Sequence, residues 1–244
     1  MNNLKIKTKM LIKKKKIWVI IPARSGSKSI KNKNLSKIKG KSLIHHSIIS
    51  AKKINLVEKI VFSSDSKKYL NHADKFGVDI LHHRSSFASK DNSTDLDFFK
   101  DFIKNYSLKE LPDFFIHLRP TTPIRTKSNL NNAVKFFLQN KKKFTAMRSV
   151  SKMSESSYKT FIIKKSKLCS IDNTFELDHF NNPKNSFPNT YLANGYIDII
   201  KTKNILNNFI HGNKVLPFIV KDRVVDIDTL HDLKFADYVY GYNR

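Results

Sequence analysis

The feature that most constrains the fold is a repeated alternation between short apolar runs and segments of helical periodicity. The first run, Ile17 to Ile21, has no charged residue and is closed by Pro22. A continuous apolar run of this length is typical of a strand buried on both faces of a parallel sheet. Strand-and-helix units of similar length then follow one another along the chain. The sequence therefore predicts an α/β domain with a mainly parallel, twisted sheet between two layers of helices.

The same reading divides the chain into elements. Further strands are predicted at Lys59 to Asp65, Val78 to Leu81, Asp113 to Leu118, Phe144 to Val150, Tyr191 to Ile200 and Leu216 to Val220. Helices are predicted at Leu43 to Ile54, Ser66 to Gly77, Ser93 to Tyr106, Lys127 to Asn140, Thr202 to Asn208 and Thr229 to Tyr240. Residues 1–16 form a basic lead-in to a domain over 17–244. Within that domain, residues 151–189 lose the alternation, which predicts a hairpin excursion from the sheet.

Composition narrows the classes of function. The chain of 244 residues is 40% hydrophobic, enough for a sizeable core, and its one cysteine, Cys169, favours a reducing cytoplasm. No apolar run reaches the roughly 18 residues of a membrane span, so we expect no membrane insertion. The net charge of +26 would suit a polyanion, but the lysines are scattered and no nucleic-acid-binding motif accompanies them. We therefore expect no specific nucleic-acid partner, and a basic nucleic-acid-binding protein is the less favoured alternative.

Polar clusters follow several of the predicted strands. One runs from Arg24 to Lys28, another from Ser63 to Asp65, and a third from Arg119 to Arg125. Ligands bind at the carboxyl ends of parallel strands, so these clusters are expected to converge on one site. In the first cluster, small residues and two cations could cradle phosphates. The loop lacks the spacing of a Walker A motif, and taken alone it is equally consistent with a solvated basic turn.

A second chemical signal is a pair of aspartates near the end of the chain. On a strand, Asp226 and Asp228 would share one face while Val225 and Ile227 share the other. Two neighbouring carboxylates repel each other, and Mg²⁺ or Mn²⁺ would relieve the repulsion through oxygen ligands. The alternative is that Asp228 only caps the helix that starts at Thr229.

Taken in order, the motifs resemble those of the CMP-sialic acid synthetases, also called acylneuraminate cytidylyltransferases. They are PARSGSKSIKNKNL, a strand ending in SSD, Arg84 ahead of FASKDNSTDLD, LRPTTPIR, the pair Asn194 and Gly195, and DIDTLHDLKFAD. The resemblance spans about Trp18 to Tyr240. It implies a nucleotide-diphospho-sugar transferase fold, which is Rossmann-like. It also implies an enzyme that joins CTP to a sialic-acid-like nonulosonic acid with Mg²⁺, giving a CMP-sugar and pyrophosphate.

The resemblance also implies roles for individual residues. Nucleotide binding falls to Ala23, Arg24, Ser27, Lys28, Asn34, Arg84, Ser93, Thr94, Arg119, Pro120 and Thr121. Arg119 and Asn194 would contact the sugar, and Asp226 and Asp228 would hold the metal. Lys28, Arg24 and Asp228 are the expected catalytic residues. Members of the family typically dimerise through the excursion, so residues 151–189 are the candidate homodimer contact. The alternative activity is nucleotidyl transfer from another nucleotide, or to a sugar 1-phosphate.

Departures from the family pattern leave the acceptor open. Ser25 and Ser29 replace common glycines, which removes easy access to positive φ. Arg119 replaces the usual glutamine and could either grip a sugar carboxylate or brace the pocket. Asp198 stands near the position of a tyrosine in many sialate enzymes. Sialic, legionaminic and related acids are all consistent with these residues.

Overall fold

The computed structural model describes residues 15–171 and 174–242, so residues 1–14 of the basic lead-in lie outside the described part. The strands are β1 (Ile17–Pro22), β2 (Lys37–Ile38), β3 (Lys41–Ser42), β4 (Lys59–Ser64), β5 (Ile80–His83), β6 (Phe114–His117), β7 (Ala146–Lys152), β8 (Phe161–Lys164), β9 (Lys167–Ser170), β10 (Tyr191–Lys201) and β11 (Val215–Ile219). The α-helices are α1 (Leu43–Lys52), α2 (Lys67–Asp74), α3 (Asp95–Ile103), α4 (Lys127–Asn140), α5 (Thr202–Leu206) and α6 (Leu230–Tyr242).

Seven strands form the central sheet, in the order β11, β7, β10, β6, β1, β4, β5. Strands β6, β1, β4 and β5 are parallel to one another, and β11 is parallel to β7. Strand β10 runs antiparallel to both of its neighbours, β6 and β7. The prediction of a mainly parallel sheet is therefore confirmed.

Helices cover both faces of this sheet. As a result, every side chain in the apolar run of β1 is buried. Ile17, Val19 and Ile21 pack in one core with residues of α1, α2 and α4. Trp18 and Ile20 point the other way, into a core formed with α3 and α5. This arrangement confirms the predicted three layers. A third, smaller core joins α6 to the segment around Val225 and Ile227.

The strand predicted at Val78 to Leu81 begins later in the structure, as β5. Gly77, at φ +63°, ends the α2 region in a left-handed conformation that glycine adopts without strain. The Asp79 carboxylate then accepts a hydrogen bond from the backbone N–H of Ile60 at 2.7 Å. These residues belong to the connection, so β5 starts at Ile80 and includes His82 and His83.

The chain leaves the sheet between β7 and β10 and forms a separate antiparallel hairpin, β8 with β9. Its two turn residues, Lys165 and Ser166, have φ values of 48° and 61°. Positive φ at both central residues is typical of a two-residue hairpin turn. Among the described residues, none of the helices is both long enough and apolar enough to cross a membrane.

Candidate active site

A cleft of about 510 Å³ lies where β1, β5 and β6 end. Every predicted nucleotide-binding residue except Ala23 lines it. They are Arg24, Ser27, Lys28, Asn34, Arg84, Ser93, Thr94, Arg119, Pro120 and Thr121. Ala23 is buried, and its N–H bonds to the carbonyl of Ser63 on β4. The convergence of loops at the carboxyl ends of the strands is therefore as predicted.

The loop after β1 is fixed by side-chain hydrogen bonds rather than by glycine. The Asp65 carboxylate accepts from the N–H of Ser25 at 2.8 Å and from its hydroxyl at 2.6 Å. The buried Asn34 amide donates to the carbonyl of Arg24 at 3.0 Å. Ser25, Gly26 and Ser29 all avoid the left-handed region. The two serines therefore fit this loop without backbone strain, and Ser25 adds the hydroxyl that Asp65 holds.

Arg24 and Lys28 bring positive charge to the mouth of the cleft. The Asp91 carboxylate lies 2.6 Å from Nη1 of Arg24 and 2.8 Å from Nζ of Lys28. Hydrogen bonds from Lys28 and then Arg24 lower the pKa of Asp91. The Asp91 carboxylate is therefore already paired with Arg24 and Lys28, the two cations that the family resemblance assigns to phosphate binding.

Arg84 is the buried cation of the cleft. Its Nε donates to the hydroxyl of Ser63 at 2.8 Å and its Nη2 donates to the carbonyl of Ser63 at 3.2 Å. The guanidinium also lies 4.5 Å from the centre of the Phe98 ring. Burial lowers the pKa of Arg84 to about 10, so the side chain stays charged at neutral pH. It can offer a fixed positive charge to a bound anion.

Ser93 and Thr94 lie at the N-terminal end of α3, where they line the cleft. The Thr94 hydroxyl caps the helix in a capping box with Asp97, and the Ser93 hydroxyl donates to the carbonyl of Phe87 at 2.6 Å. Both side chains are thus engaged within the protein. The positive end of the α3 dipole faces the cleft and favours an anionic ligand.

Arg119 lines the cleft from the loop after β6 and is partly exposed. Its Nη2 is 2.6 Å from Oδ2 of Asp95, which is in the first turn of α3, and 3.8 Å from Oδ2 of Asp198 on β10. Gly195 packs against the same loop at φ +66°. A Cβ on Gly195 would lie 2.9 Å from the Thr122 hydroxyl and 3.5 Å from Cδ of Arg119. The glycine is therefore required by close packing as well as by backbone conformation.

Asn194, the other predicted sugar ligand, is not part of the cleft wall. Its amide nitrogen donates to the hydroxyl of Ser151 at 2.9 Å, and its Oδ1 accepts from the N–H of Tyr196 at 3.1 Å. The side chain is buried. Its contacts brace the bend in β10 beside Gly195.

Asp226 and Asp228 lie on one face of an extended segment, as the period-two pattern predicts, and both are exposed. Val225 and Ile227 are buried on the other face. The predicted strand is wrong, because the segment pairs with no described strand. The N–H of Ile227 donates instead to the carbonyl of Thr121 at 2.8 Å, which ties the segment to the loop after β6.

The cap of α6 is Thr229, and the alternative role for Asp228 is wrong. The Thr229 hydroxyl accepts from the N–H of Asp232, whose carboxylate accepts in turn from the N–H of Thr229 at 2.8 Å. The Asp228 side chain points elsewhere and lies 2.9 Å from Nζ of Lys33, a cleft residue.

Asp226 and Asp228 are suitable ligands for a divalent cation because both offer exposed carboxylate oxygens. Among residues 15–171 and 174–242, no group of three or more His, Cys, Asp or Glu could hold a metal by itself. Mg²⁺ is commonly bound by one or two carboxylates together with substrate phosphates and water. The pair therefore fits a cation that arrives with a nucleotide.

Sequence reasoning missed several charged residues of the cleft. Lys33, Asp91 and Asp95 line it, as does the Phe98 ring beneath Arg84. Asp91 and Asp95 stand within FASKDNSTDLD, so their place in a site motif was a usable signal. Their partners, Arg24 and Arg119, lie far away in sequence and could not be inferred from spacing.

Comparison with known proteins identifies the family of the chain. The Cytidylyltransferase family matches residues 18–171, more than half of the chain. The chain belongs to the cytidylyltransferase family. The resemblance inferred from the motifs is thereby confirmed.

Two relatives illustrate the similarity of the chain to known members of the family. An N-acylneuraminate cytidylyltransferase of Escherichia coli O18:K1:H7 is 31% identical over 223 residues, which cover 91% of this chain and 51% of that protein. A pseudaminic acid cytidylyltransferase of Campylobacter jejuni is 28% identical over 228 residues, which cover 92% and 96%. The chain thus spans about half the length of the first relative and nearly all of the second.

The fold of the chain is also that of solved structures. CMP:2-keto-3-deoxy-manno-octonic acid synthetase, complexed with CTP, superposes with a TM-score of 0.69 at 13% identity, over 94% of this chain and all of that one. A 4-diphosphocytidyl-2C-methyl-D-erythritol synthase from Anaerococcus prevotii superposes with a TM-score of 0.61 at 12% identity, over 93% and 96%. At such low identity, the likeness concerns the fold alone.

Proposed function

We propose that the protein transfers the CMP group of CTP to a sialic-acid-like nonulosonic acid, giving a CMP-sugar and pyrophosphate. The observation that carries the proposal is the gathering of Arg24, Lys28 and Arg84 around one cleft at the end of the sheet. Three cations and a helix N-terminus suit a triphosphate. The names of the relatives, which include N-acylneuraminate and pseudaminic acid cytidylyltransferases, support the acidic sugar as acceptor.

In the proposed reaction the anomeric hydroxyl of the acceptor attacks the α-phosphorus of CTP. The new P–O bond forms as the bond between the α-phosphorus and the bridging oxygen breaks, and pyrophosphate leaves as the hydroxyl loses its proton. Catalysis of this kind depends mainly on positioning and charge neutralisation. Lys28 and Arg24 would leave Asp91 to neutralise the phosphates, and Arg84 would hold its charge in a fixed place.

Asp226 and Asp228 would hold Mg²⁺, or Mn²⁺, beside the triphosphate. When bound, such an ion neutralises phosphate charge and orients the leaving group. The exposure of both carboxylates and the contact between Asp228 and the cleft residue Lys33 support this assignment. Arg119 remains the proposed contact to the sugar, and Asn194 would act on the sugar side through the shape of β10, since its amide bonds to Ser151 and Tyr196.

The experiment is to incubate the protein with Mg²⁺, one of CTP, UTP, GTP or ATP, and a panel of acceptors: sialic, legionaminic and pseudaminic acids, and a sugar 1-phosphate. Pyrophosphate release is measured, and products are identified by mass. We expect a CMP-sugar with CTP and no product with the other nucleotides. Silence across the panel, or transfer from UTP to a sugar 1-phosphate, would contradict the proposal. Steeply salt-dependent binding to random oligonucleotides that survives Asp226→Ala and Asp228→Ala would favour the nucleic-acid-binding alternative.

We also propose a homodimer formed through the excursion. Apolar side chains of the hairpin face outward, notably Ile163 at 77% and Leu168 at 54% exposure, together with Phe161 and Ile171. A patch of this kind is typical of an interaction surface. A cytoplasmic location stays a prediction from the cysteine content.

A further inference from the structure

A row of charged and titratable side chains crosses three strands beside the Arg119 wall of the cleft. In the register of the sheet, Asp198 on β10 is paired with His117 on β6 and with Arg148 on β7. Paired residues of neighbouring strands point to the same face, so the three side chains share one side of the sheet. The loop before β11 adds His211, whose Nε2 lies 3.8 Å from Oδ2 of Asp198.

Asp198 is the centre of this row and is 2% exposed. Besides His211, its carboxylate has Nη2 of Arg119 at 3.8 Å and Nε of Arg148 at 3.9 Å. Burial would raise the pKa of Asp198, but the neighbouring histidines and arginines outweigh it and lower the pKa, so the group is charged at neutral pH. Its contacts are longer than hydrogen bonds, and its Oδ1 accepts no hydrogen bond from the described residues.

A buried carboxylate without hydrogen-bonded partners is costly to stability. His117 beside it is also buried, and neither of its ring nitrogens has a hydrogen-bond partner among the described residues. A well-packed apolar residue at position 198 would avoid the cost. The electrostatic effect of Asp198 on Arg119, the nearest residue that lines the cleft, offers a reason for the charge.

The guanidinium of Arg119 is hydrogen-bonded through one nitrogen only among the described residues. Its Nη2 donates to Asp95 at 2.6 Å and faces Asp198, whereas its Nε and Nη1 donate to none of the described residues. The side chain is 28% exposed. A guanidinium fixed at one nitrogen, with its other N–H groups unused, suits a carboxylate in the cleft.

We propose that Asp198 is a positioning residue for the acceptor: with Asp95 it fixes Nη2 of Arg119 so that the remaining N–H groups of Arg119 meet the carboxylate of an acidic sugar. This inference rests on the proposed function and specifies how its sugar side works.

The test is a double-mutant cycle of Asp198→Asn, Arg119→Gln and the two combined. KM and kcat are measured separately for CTP and for the acceptor that the panel identifies. Each single variant should raise KM for the acceptor about tenfold or more and change KM for CTP by less than about twofold. Because Asp198 acts through Arg119, the double variant should match Arg119→Gln alone.

The matched control is Arg148→Gln, which removes another cation from Asp198 without changing the Asp198 charge that faces Arg119. We expect its KM for the acceptor to stay within about twofold of wild type. If Asp198→Asn does not fold, Asp198→Glu replaces it in the cycle: it shifts the carboxylate by one methylene relative to Nη2 of Arg119, so KM for the acceptor should still rise with KM for CTP unchanged.

Three results would overturn the inference. The effects of the two single variants could add fully in the double variant, or Asp198→Asn could lower the melting temperature and kcat with both KM values unchanged, as a purely structural residue would. A wild-type protein that makes no CMP-sugar would overturn the proposed function, and this inference with it. A wild-type protein that makes product while the cycle is additive overturns the inference alone.

Discussion

The carboxylate of Asp91 lies 2.6 Å from the guanidinium of Arg24, across the mouth of the cleft. The same carboxylate is 2.8 Å from Lys28, so one acidic side chain binds two cations of the first loop, Arg24 and Lys28. A triphosphate would compete for the same N–H groups. The Asp91 carboxylate therefore competes with the nucleotide for these two cations. Binding of a nucleotide includes the free-energy cost of displacing that carboxylate.

Asp91→Asn should tighten CTP binding because it removes this competing charge. We expect the Kd for CTP to fall about three- to tenfold at low ionic strength, measured by isothermal titration calorimetry. Asp237→Asn is the control, since Asp237 pairs with Lys39 on a surface away from the cleft and its loss should leave the Kd unchanged. Weaker CTP binding by Asp91→Asn would show that Asp91 assists the nucleotide rather than competing with it.

Lys28→Ala should reduce turnover strongly, because it removes a positive charge from the triphosphate. We expect kcat for CMP-sugar formation to fall about a hundredfold or more. Melting temperature should barely change, since the Lys28 side chain is 82% exposed. Lys31→Ala, an exposed lysine in the same loop but outside the cleft wall, should behave as wild type. Near-normal turnover of Lys28→Ala would mean that Lys28 is only surface charge.

The fold could be predicted from sequence where burial leaves a local pattern. The apolar run of β1 predicts a strand buried on both faces, and Ile17 and Trp18 indeed enter opposite cores. The alternation around Asp226 and Asp228 also predicted their shared face, even though no strand forms there, because an extended segment keeps the period of two when one side packs on a core.

The interior of the site could not be predicted in the same way, because its contacts join residues that are distant in sequence. Nothing near Ser25 indicates that Asp65 will hold its hydroxyl. Nothing near Arg119 indicates that Asp95 and Asp198 will share one of its nitrogens. Such contacts depend on strand order, which the alternation of elements does not determine.

Asp228→Asn and Thr229→Ala should separate metal binding from helix capping. Asp228→Asn should abolish the Mg²⁺ dependence of CTP turnover with little effect on stability, since Asp228 is 74% exposed and does not cap α6. Thr229→Ala should cost about 1 kcal/mol of unfolding free energy and leave the Mg²⁺ dependence intact. Titration of activity with Mg²⁺ and urea unfolding measure the two effects. The reverse pattern would restore the cap role of Asp228.

Ile163→Asp should weaken the proposed homodimer, because it places a charge in the centre of the apolar hairpin surface. We expect the molecular mass from light scattering to fall from that of a dimer to that of a monomer at micromolar concentration. Leu108→Asp is the matched control, because Leu108 is 72% exposed outside the excursion. A monomeric wild type, or a dimer that tolerates Ile163→Asp, would rule out this surface.

Acid should destabilise the protein through its buried histidines. Burial lowers the pKa of His117 to about 4 and that of His82 to about 4, against 6.5 in the unfolded chain. The unfolded state therefore binds more protons between these values, so stability is full above pH 6.5 and is lost as pH falls towards 4. For each histidine the loss is at most about 3.5 kcal/mol.

His117→Phe should remove part of this acid sensitivity, because the ring packs against Phe98 and Phe99 and neither of its nitrogens has a described hydrogen-bond partner. Urea unfolding at pH 7 and pH 4.5 should show a loss of stability about 2 kcal/mol smaller than in wild type. His83→Gln, at an exposed position of β5, should keep the wild-type loss. An unchanged loss in His117→Phe would mean that His117 binds a proton as readily in the folded protein as in the unfolded chain.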